Sequence, residues 1–125
     1  MVNIVVPYMK RHNSGLIINI SSTSGKQATP SQLYSATKFA VTGYTESIRE
    51  ELRTYNIKVT TIYPGMIMTN FFHSANDWKN RVKQWQGAVP QMLRAEDISR
   101  AISFVCAQPE HVLVDDITIV PFRTK

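Results

Sequence analysis

One cysteine, Cys106, among 125 residues leaves no partner for an internal disulfide, and its neighbours Phe104, Val105 and Ala107 read as the apolar side of a helix. A reducing compartment suits such a chain, and the cytoplasm is the expected location. No basic leader precedes the apolar start, which carries Pro7 and runs into Lys10-Arg11-His12, so a secretory signal is not expected. No apolar run approaches the ~20 residues that span a bilayer, which excludes a membrane helix and makes a membrane partner unexpected. Anions are fewer than cations, 9 Asp and Glu against 14 Lys and Arg, but the cations are nowhere clustered. Phosphate backbones are gripped by grouped Lys and Arg, so nucleic acid is not an expected partner and the spread charge reads as a solvated surface. His12, His73 and His111 fall in three separate elements without an i, i+4 pair, and no metal site is expected. With 43% hydrophobic and 18% charged content, the chain has the composition of a globular domain with a real core.

Val2, Ile4, Val5, Val6 and Met9, followed by Lys10-Arg11-His12-Asn13-Ser14-Gly15, predict a helix that ends in cations and a glycine stop. Residues 16–20 form a short apolar, β-branched run on both parities, as in a strand buried on both faces. A loop rich in Ser, Thr, Gly and Pro occupies 21–31. Between Gln32 and Tyr55 the positions Val41, Tyr44, Ile48, Leu52 and Tyr55 recur at three and four residues, the stripe of a long amphipathic helix. Residues 57–63 predict a second strand, broken by Pro64-Gly65. Residues 66–92 read as a loop with one or two short helices. Its Phe71, Phe72, Trp78 and Trp85 either line a substrate pocket or pack the loop onto the domain. A helix over 95–107, marked by Ile98, Ala101, Ile102 and Val105, and a strand over 112–120 complete the chain.

Alternating helices and strands predict a parallel sheet with crossover helices. Three strands make a thin parallel sheet whose edge would expose apolar surface, so partner strands from elsewhere are expected.

Tyr34 and Lys38 stand four residues apart at the start of the long helix, hence on one face. A phenol is a poor acid-base group at neutral pH unless a cation stabilises its phenolate; Lys38 and the helix N-terminus both supply positive potential. Ser22 lies just past the end of a buried strand, where open α/β sheets place their ligand sites.

Asn19-Ile20-Ser21-Ser22-Thr23-Ser24-Gly25, then Tyr34-Ser35-Ala36-Thr37-Lys38, then Tyr63-Pro64-Gly65-Met66-Ile67-Met68-Thr69 closely resemble the short-chain dehydrogenase/reductase family, in order along the whole chain. The resemblance implies the C-terminal half of a Rossmann-type doubly wound parallel sheet, with residues 1–125 as a partial NAD(P)-binding domain. By the same resemblance Ser22 hydrogen-bonds the substrate oxygen, with Ser21 and Ser24 as nearby rivals. Tyr34 is the general acid-base, and Lys38 serves both the phenol and the nicotinamide ribose. Pro64 and Gly65 form the turn approached by the nicotinamide, Ile67 meets the carboxamide through its backbone, Thr69 contacts carboxamide or phosphate, and Ile20 and Met66 line the cofactor site. The implied reaction passes a hydride between NAD(P)(H) and a small carbonyl or alcohol. The stretch 109–121 is more similar to the NADP-dependent 3-hydroxy acid branch than to the acyl-carrier-protein reductases, which favours NADP with NAD as the alternative. Ala36, Ala40, Gly43 and Ser47 form a small-residue stripe on a helix that builds a subunit interface in the family, so a homodimer or homotetramer is implied for the full-length form.

Two departures stand out. The step from Ser22 to Tyr34 is one residue shorter than the family's commonest spacing, which requires a tight loop over 27–32. The glycine-rich dinucleotide turn, the cofactor selector, the Asn-Asn-Ala-Gly segment and the catalytic asparagine are not among these residues, and Asn3 sits too late in its helix to replace the last. Residues 1–125 are therefore expected to be N-terminally truncated and, alone, to bind no NAD(P) and to be inactive. The rival reading is an inactive family fragment that acts only as an interaction or dimerisation module. A Ser-Lys hydrolase is disfavoured by the lack of a nucleophile elbow or a Ser-x-x-Lys motif.

Overall fold

The computed structural model describes residues 2–69, 79, 80, 83, 87, 89 and 91–122. Helix α1 (Val2–His12) leads into strand β1 (Gly15–Ile20), a 3₁₀ turn (Thr23–Gly25), the long helix α2 (Gln32–Leu52), strand β2 (Ile57–Pro64), helix α3 (Ala95–Cys106) and strand β3 (Asp116–Ile119). The three strands make one sheet in the order β1-β2-β3, both pairs parallel, with Gly15 beside Ile57, Ile20 beside Ile62, and Tyr63 beside Thr118. The expected parallel α/β architecture is what forms.

Side chains alternate across a sheet, so the odd-numbered positions of β1 and β2 share a face. Asn19 and Thr61 on that face meet Thr45 and Arg49 of α2. At its other end the same face buries Ile17, Ile57 and Val59 with Leu52, and Val2, Val6, Met9 and Ile48 pack against them. Lys58 and Thr60 point the opposite way and reach the segment that follows α3.

Local details depart from the expected ones for identifiable reasons. Helix α1 is stopped by Asn13, the residue in the left-handed region at φ 48°, not by Gly15. Gly15 lies against Met9 instead: a Cβ there would come within 2.6 Å of the Met9 sulfur, so that flexible side chain would have to shift. Helix α2 ends at Leu52 and tightens into a 3₁₀ turn (Arg53–Tyr55) closed by Asn56 at φ 51°. Of the expected α2 stripe, Leu52 is buried and Val41 and Ile48 partly so, while Tyr44 and Tyr55 are exposed; Ser35 and Thr45 are buried in their place. The strand expected over 112–120 is confined to Asp116–Ile119. The Lys58 ammonium takes the carbonyl of Val112 at 3.0 Å and the Thr60 hydroxyl that of Val114 at 2.7 Å, so side chains occupy acceptors that a ladder would use. Cys106 and Phe104 face outward on α3, and Val105 faces in.

The cations are not merely solvated. Lys58 donates to the carbonyls of Gln108, Pro109 and Val112. Arg49, on a side chain only 14% exposed, donates to the carbonyls of Val59 and Asp115 and to the Thr61 hydroxyl. Both brace the approach to β3. Among the described residues no helix is long and apolar enough to cross a membrane.

Candidate active site

The site is built where β1 ends. Ser21 continues the ladder, its N–H donating to the Ile62 carbonyl at 2.8 Å, and its buried hydroxyl turns into α2, donating to the Lys38 carbonyl at 3.0 Å. Ser22 caps the 3₁₀ turn: its Oγ accepts the Ser24 N–H at 3.1 Å, which leaves the hydroxyl hydrogen to donate elsewhere. Ser24 is buried within the turn. Gly25 wedges the turn onto α2. A Cβ at Gly25 would sit 2.5 Å from the Ser21 Oγ, 2.8 Å from the Lys38 carbonyl oxygen and 2.9 Å from the Thr42 Oγ1, so the contact demands glycine. Spacing alone marked Gly25 as part of a pattern but not as this wedge.

The short loop to α2 is closed by Ser35, a residue that sequence reasoning did not single out. Its buried hydroxyl accepts the Thr29 N–H at 3.1 Å and lies 2.9 Å from the Thr29 hydroxyl. The loop is thereby drawn onto the helix one residue past Tyr34, which answers the shortened spacing. The Lys38 ammonium lies 5.7 Å from the centre of the Tyr34 ring and donates to the Ile20 carbonyl at 3.3 Å. Burial pushes its pKa below the ordinary lysine value. Tyr34 and Lys38 are half-buried, and the Ile20 side chain, 41% exposed, stands open beside them.

The end of β2 lies next to this group. Pro64 is buried and Gly65 donates its N–H to the Ile119 carbonyl at 2.7 Å; a Cβ on Gly65 would press within 3.1 Å of Pro121. Ile67 bridges Leu93 in parallel, with Leu93 N–H bonded to the Met66 carbonyl and Met68 N–H to the Leu93 carbonyl. In such a bridge the amide and carbonyl of Ile67 itself point away from Leu93. Met66 and Ile67 are half-buried and Thr69 is exposed. Phe71, Phe72, His73, Trp78 and Trp85 lie outside the described residues. A concavity of about 980 Å³ opens between the start of α3 and the end of β3, bordered by Leu93, Arg94, Val120 and Pro121. Ser22, Tyr34 and Lys38 do not border it. They gather instead at the end of β1. Among the described residues no group of His, Cys, Asp and Glu is gathered to hold a metal ion.

A half-buried ammonium, serine and tyrosine hydroxyls, the exposed Ile20 side chain, the half-buried Met66 and an Ile67 backbone turned away from Leu93 are groups that could hold a nicotinamide riboside. The sequence profile described as short chain dehydrogenase matches residues 1–80. An uncharacterised oxidoreductase of Staphylococcus saprophyticus is 39% identical over 121 residues, covering 96% of this chain and 47% of that protein. One of Staphylococcus epidermidis is 37% identical over 117 residues, 93% of this chain and 46% of the relative. The chain thus spans about half the length of the curated relatives it matches. Among solved structures, a serine dehydrogenase in its closed form with NADP+ superposes with a TM-score of 0.85 at 32% identity, over 97% of this chain and 50% of that one. The Escherichia coli serine dehydrogenase gives 0.76 at 30%, over 97% of this chain and 46% of the other. Strands β1 and β2, the serine turn and the Tyr34-Lys38 pair all lie within the stretch that the profile covers, and the chain belongs to the short-chain dehydrogenase family.

Proposed function

We propose that these residues form the catalytic half of a nicotinamide-dependent oxidoreductase that interconverts a small alcohol and its carbonyl compound. The observation that carries this reading is the convergence, at the end of β1, of the Ser22 turn with Tyr34 and Lys38, the ammonium lying between the phenol ring and the Ile20 carbonyl. A bound nicotinamide supplies the hydride in reduction and accepts it in oxidation. Lys38 would hold its ribose, Ile20 and Met66 would wall the ring, and Pro64, Gly65, Ile67 and Thr69 would meet the carboxamide side. Tyr34 donates a proton from its hydroxyl to the carbonyl oxygen as the carbon is reduced, and takes that proton back in oxidation. Lys38 stabilises the phenolate left behind. Ser22, whose oxygen already accepts a backbone N–H, directs its hydrogen at the same substrate oxygen and stabilises the charge that develops there.

The serine dehydrogenases that this chain resembles, one solved with NADP+, favour NADP and a small 3-hydroxy acid such as serine. Oligomers fit as well: Ala36, Ala40, Gly43 and Ser47 are all exposed along α2, beside Leu33 at 81% and Phe39 at 43% exposure. That open face equally supports the second reading, a family segment that serves only in association.

The deciding measurement follows NADPH absorbance in the complete enzyme with a panel of small alcohols: L-serine, other 3-hydroxy acids and simple secondary alcohols. Tyr34→Phe should lower turnover by about 10²–10⁴-fold, the contribution of a positioned acid-base group, while leaving NADPH affinity within a few-fold. Near-normal turnover by that variant would remove Tyr34 from the role. No NADP-dependent turnover of any panel member by the wild type would favour the association reading.

A further inference from the structure

The Ser22 turn is pressed onto α2 from one side by Gly25, and the next residue reaches out on the other side. Lys26 is fixed to the turn through its own N–H, bonded to the Thr23 carbonyl at 3.0 Å, and Gln27 N–H shares that acceptor. From there its side chain crosses to the sheet. The ammonium lies 4.3 Å from the centre of the Tyr63 ring, 3.1 Å from the Asp116 carboxylate and 3.1 Å from the Thr118 hydroxyl. Tyr63 is 2% exposed and immediately precedes Pro64-Gly65; Thr118 is its register partner on β3. Asp116 and Thr118, two apart, share the face that Tyr63 presents. One cation therefore joins the serine turn to the strand that leads into the Pro64-Gly65 turn, and to its neighbour.

We propose that Lys26 is a positioning residue that sets the distance between the Ser22 hydroxyl and the Pro64-Gly65 turn. The inference rests on the oxidoreductase reading, which assigns the substrate oxygen to the first and the nicotinamide to the second. An exposed ion pair by itself contributes little to stability, and the Lys26 side chain is 40% exposed. What distinguishes this one is that its partners are a carboxylate, a hydroxyl and a buried ring on two paired strands, while its own backbone belongs to the turn. Release of the tie lets the turn shift against the sheet without unfolding either, and small misplacements of reacting groups cost rate steeply.

The test uses the complete enzyme and the panel alcohol it oxidises fastest, comparing Lys26→Met, Lys26→Arg and Asp116→Asn. Lys26→Met should lower kcat about tenfold per folded molecule, with NADPH affinity changed less than twofold. Lys26→Arg, which keeps charge and ring stacking, should recover most of the loss. Asp116→Asn should give a smaller loss and add little to Lys26→Met, because both break one tie. A melting temperature that falls while kcat per folded molecule stays at the wild-type value would overturn the proposal, as would full additivity of the two losses. Should Lys26→Met not fold, an unchanged kcat in Asp116→Asn would overturn it equally. Tyr34→Phe run alongside separates the two readings: normal turnover there sinks the parent assignment, whereas an inactive Tyr34→Phe beside an unaffected Lys26→Met sinks only this one.

Discussion

Helix α2 covers two unlike regions of the same sheet. Its C-terminal half packs Ile48 and Leu52 over Ile17, Ile57 and Val59, a cluster of apolar side chains with the Arg49 guanidinium donating to the Val59 carbonyl at its margin. Towards its N-terminus it packs Ser35, Lys38, Thr42 and Thr45 against Thr29, Ser21, Gly25 and Asn19 through hydrogen bonds. The first region is held by area removed from water, which tolerates small displacements. The second is held by directional bonds, which do not. Open α/β sheets place their ligand sites at the strand ends, and here the polar packing is what sets a serine turn against a tyrosine-lysine pair there.

If this division is right, substitutions in the two regions should fail in different ways. The largest effect is expected from Lys38→Met, which on the proposed reading removes the cation from both phenol and ribose: turnover should fall by about 10²–10⁴-fold and NADPH affinity should fall with it. Burial pushes the Lys38 pKa below its ordinary 10.5, so its charge is lost at a lower pH than that of a free lysine. Lys38→Arg, charged throughout, should therefore shift the alkaline limb of the pH-rate profile upward, and an unmoved limb would count against Lys38 as the titrating group. The sign for stability is opposite to that of a paired lysine. The unfolded chain holds this proton more tightly, so the contribution of Lys38 to stability grows as pH rises through the interval just below 10.5. In the apolar region, Leu52→Ala opens a cavity at a side chain only 1% exposed and should cost about 2–5 kcal/mol in denaturant unfolding. Its kcat per folded molecule should stay near the wild-type value; a tenfold loss would mean that the two regions are mechanically one.

The two regions were also unequally legible in the amino-acid sequence. The residues of the candidate site stood out because the proposed proton transfer needs residue type and spacing together: Tyr34 and Lys38 at one helical turn, a serine cluster after an apolar strand, Pro64-Gly65 after the next. The parallel α/β pattern could be read from apolar periodicity. What periodicity misjudged is where polar groups replace apolar ones. Tyr44 fits the stripe but is exposed, and Thr45 does not fit but is fully buried, because its hydroxyl answers Asn19 across the helix-sheet contact. The start of β3 was misplaced because Lys58 and Thr60 take carbonyls that only the tertiary structure brings within reach. The structural use of Lys26, Arg49 and Lys58 was hidden for the same reason: each meets partners at least ten residues away, and most lie beyond fifty.

The smallest effect is expected at Thr45, and it probes the boundary between the regions. Its Oγ1 donates to the Val41 carbonyl at 2.7 Å and accepts the Asn19 Nδ2 at 2.9 Å, with Thr45 wholly buried and Asn19 partly so. Thr45→Val keeps the volume and deletes the hydroxyl, which leaves the Asn19 amide facing a methyl group. A half-buried donor without its partner costs about 1–3 kcal/mol, and the low end applies because Asn19 retains some access to water. The asymmetry between losing one partner and losing both supplies the sharper test. Asn19→Leu in the Thr45→Val background removes the orphaned amide, so the double variant should be more stable than the sum of the single losses by about 0.5–1.5 kcal/mol in a denaturant double-mutant cycle. Strict additivity would show that the bond between Asn19 and Thr45 does not couple β1 to α2. Asn19 lies two residues before Ser21 on the same strand face, so the division between the regions also requires Thr45→Val to lower kcat measurably where Leu52→Ala does not.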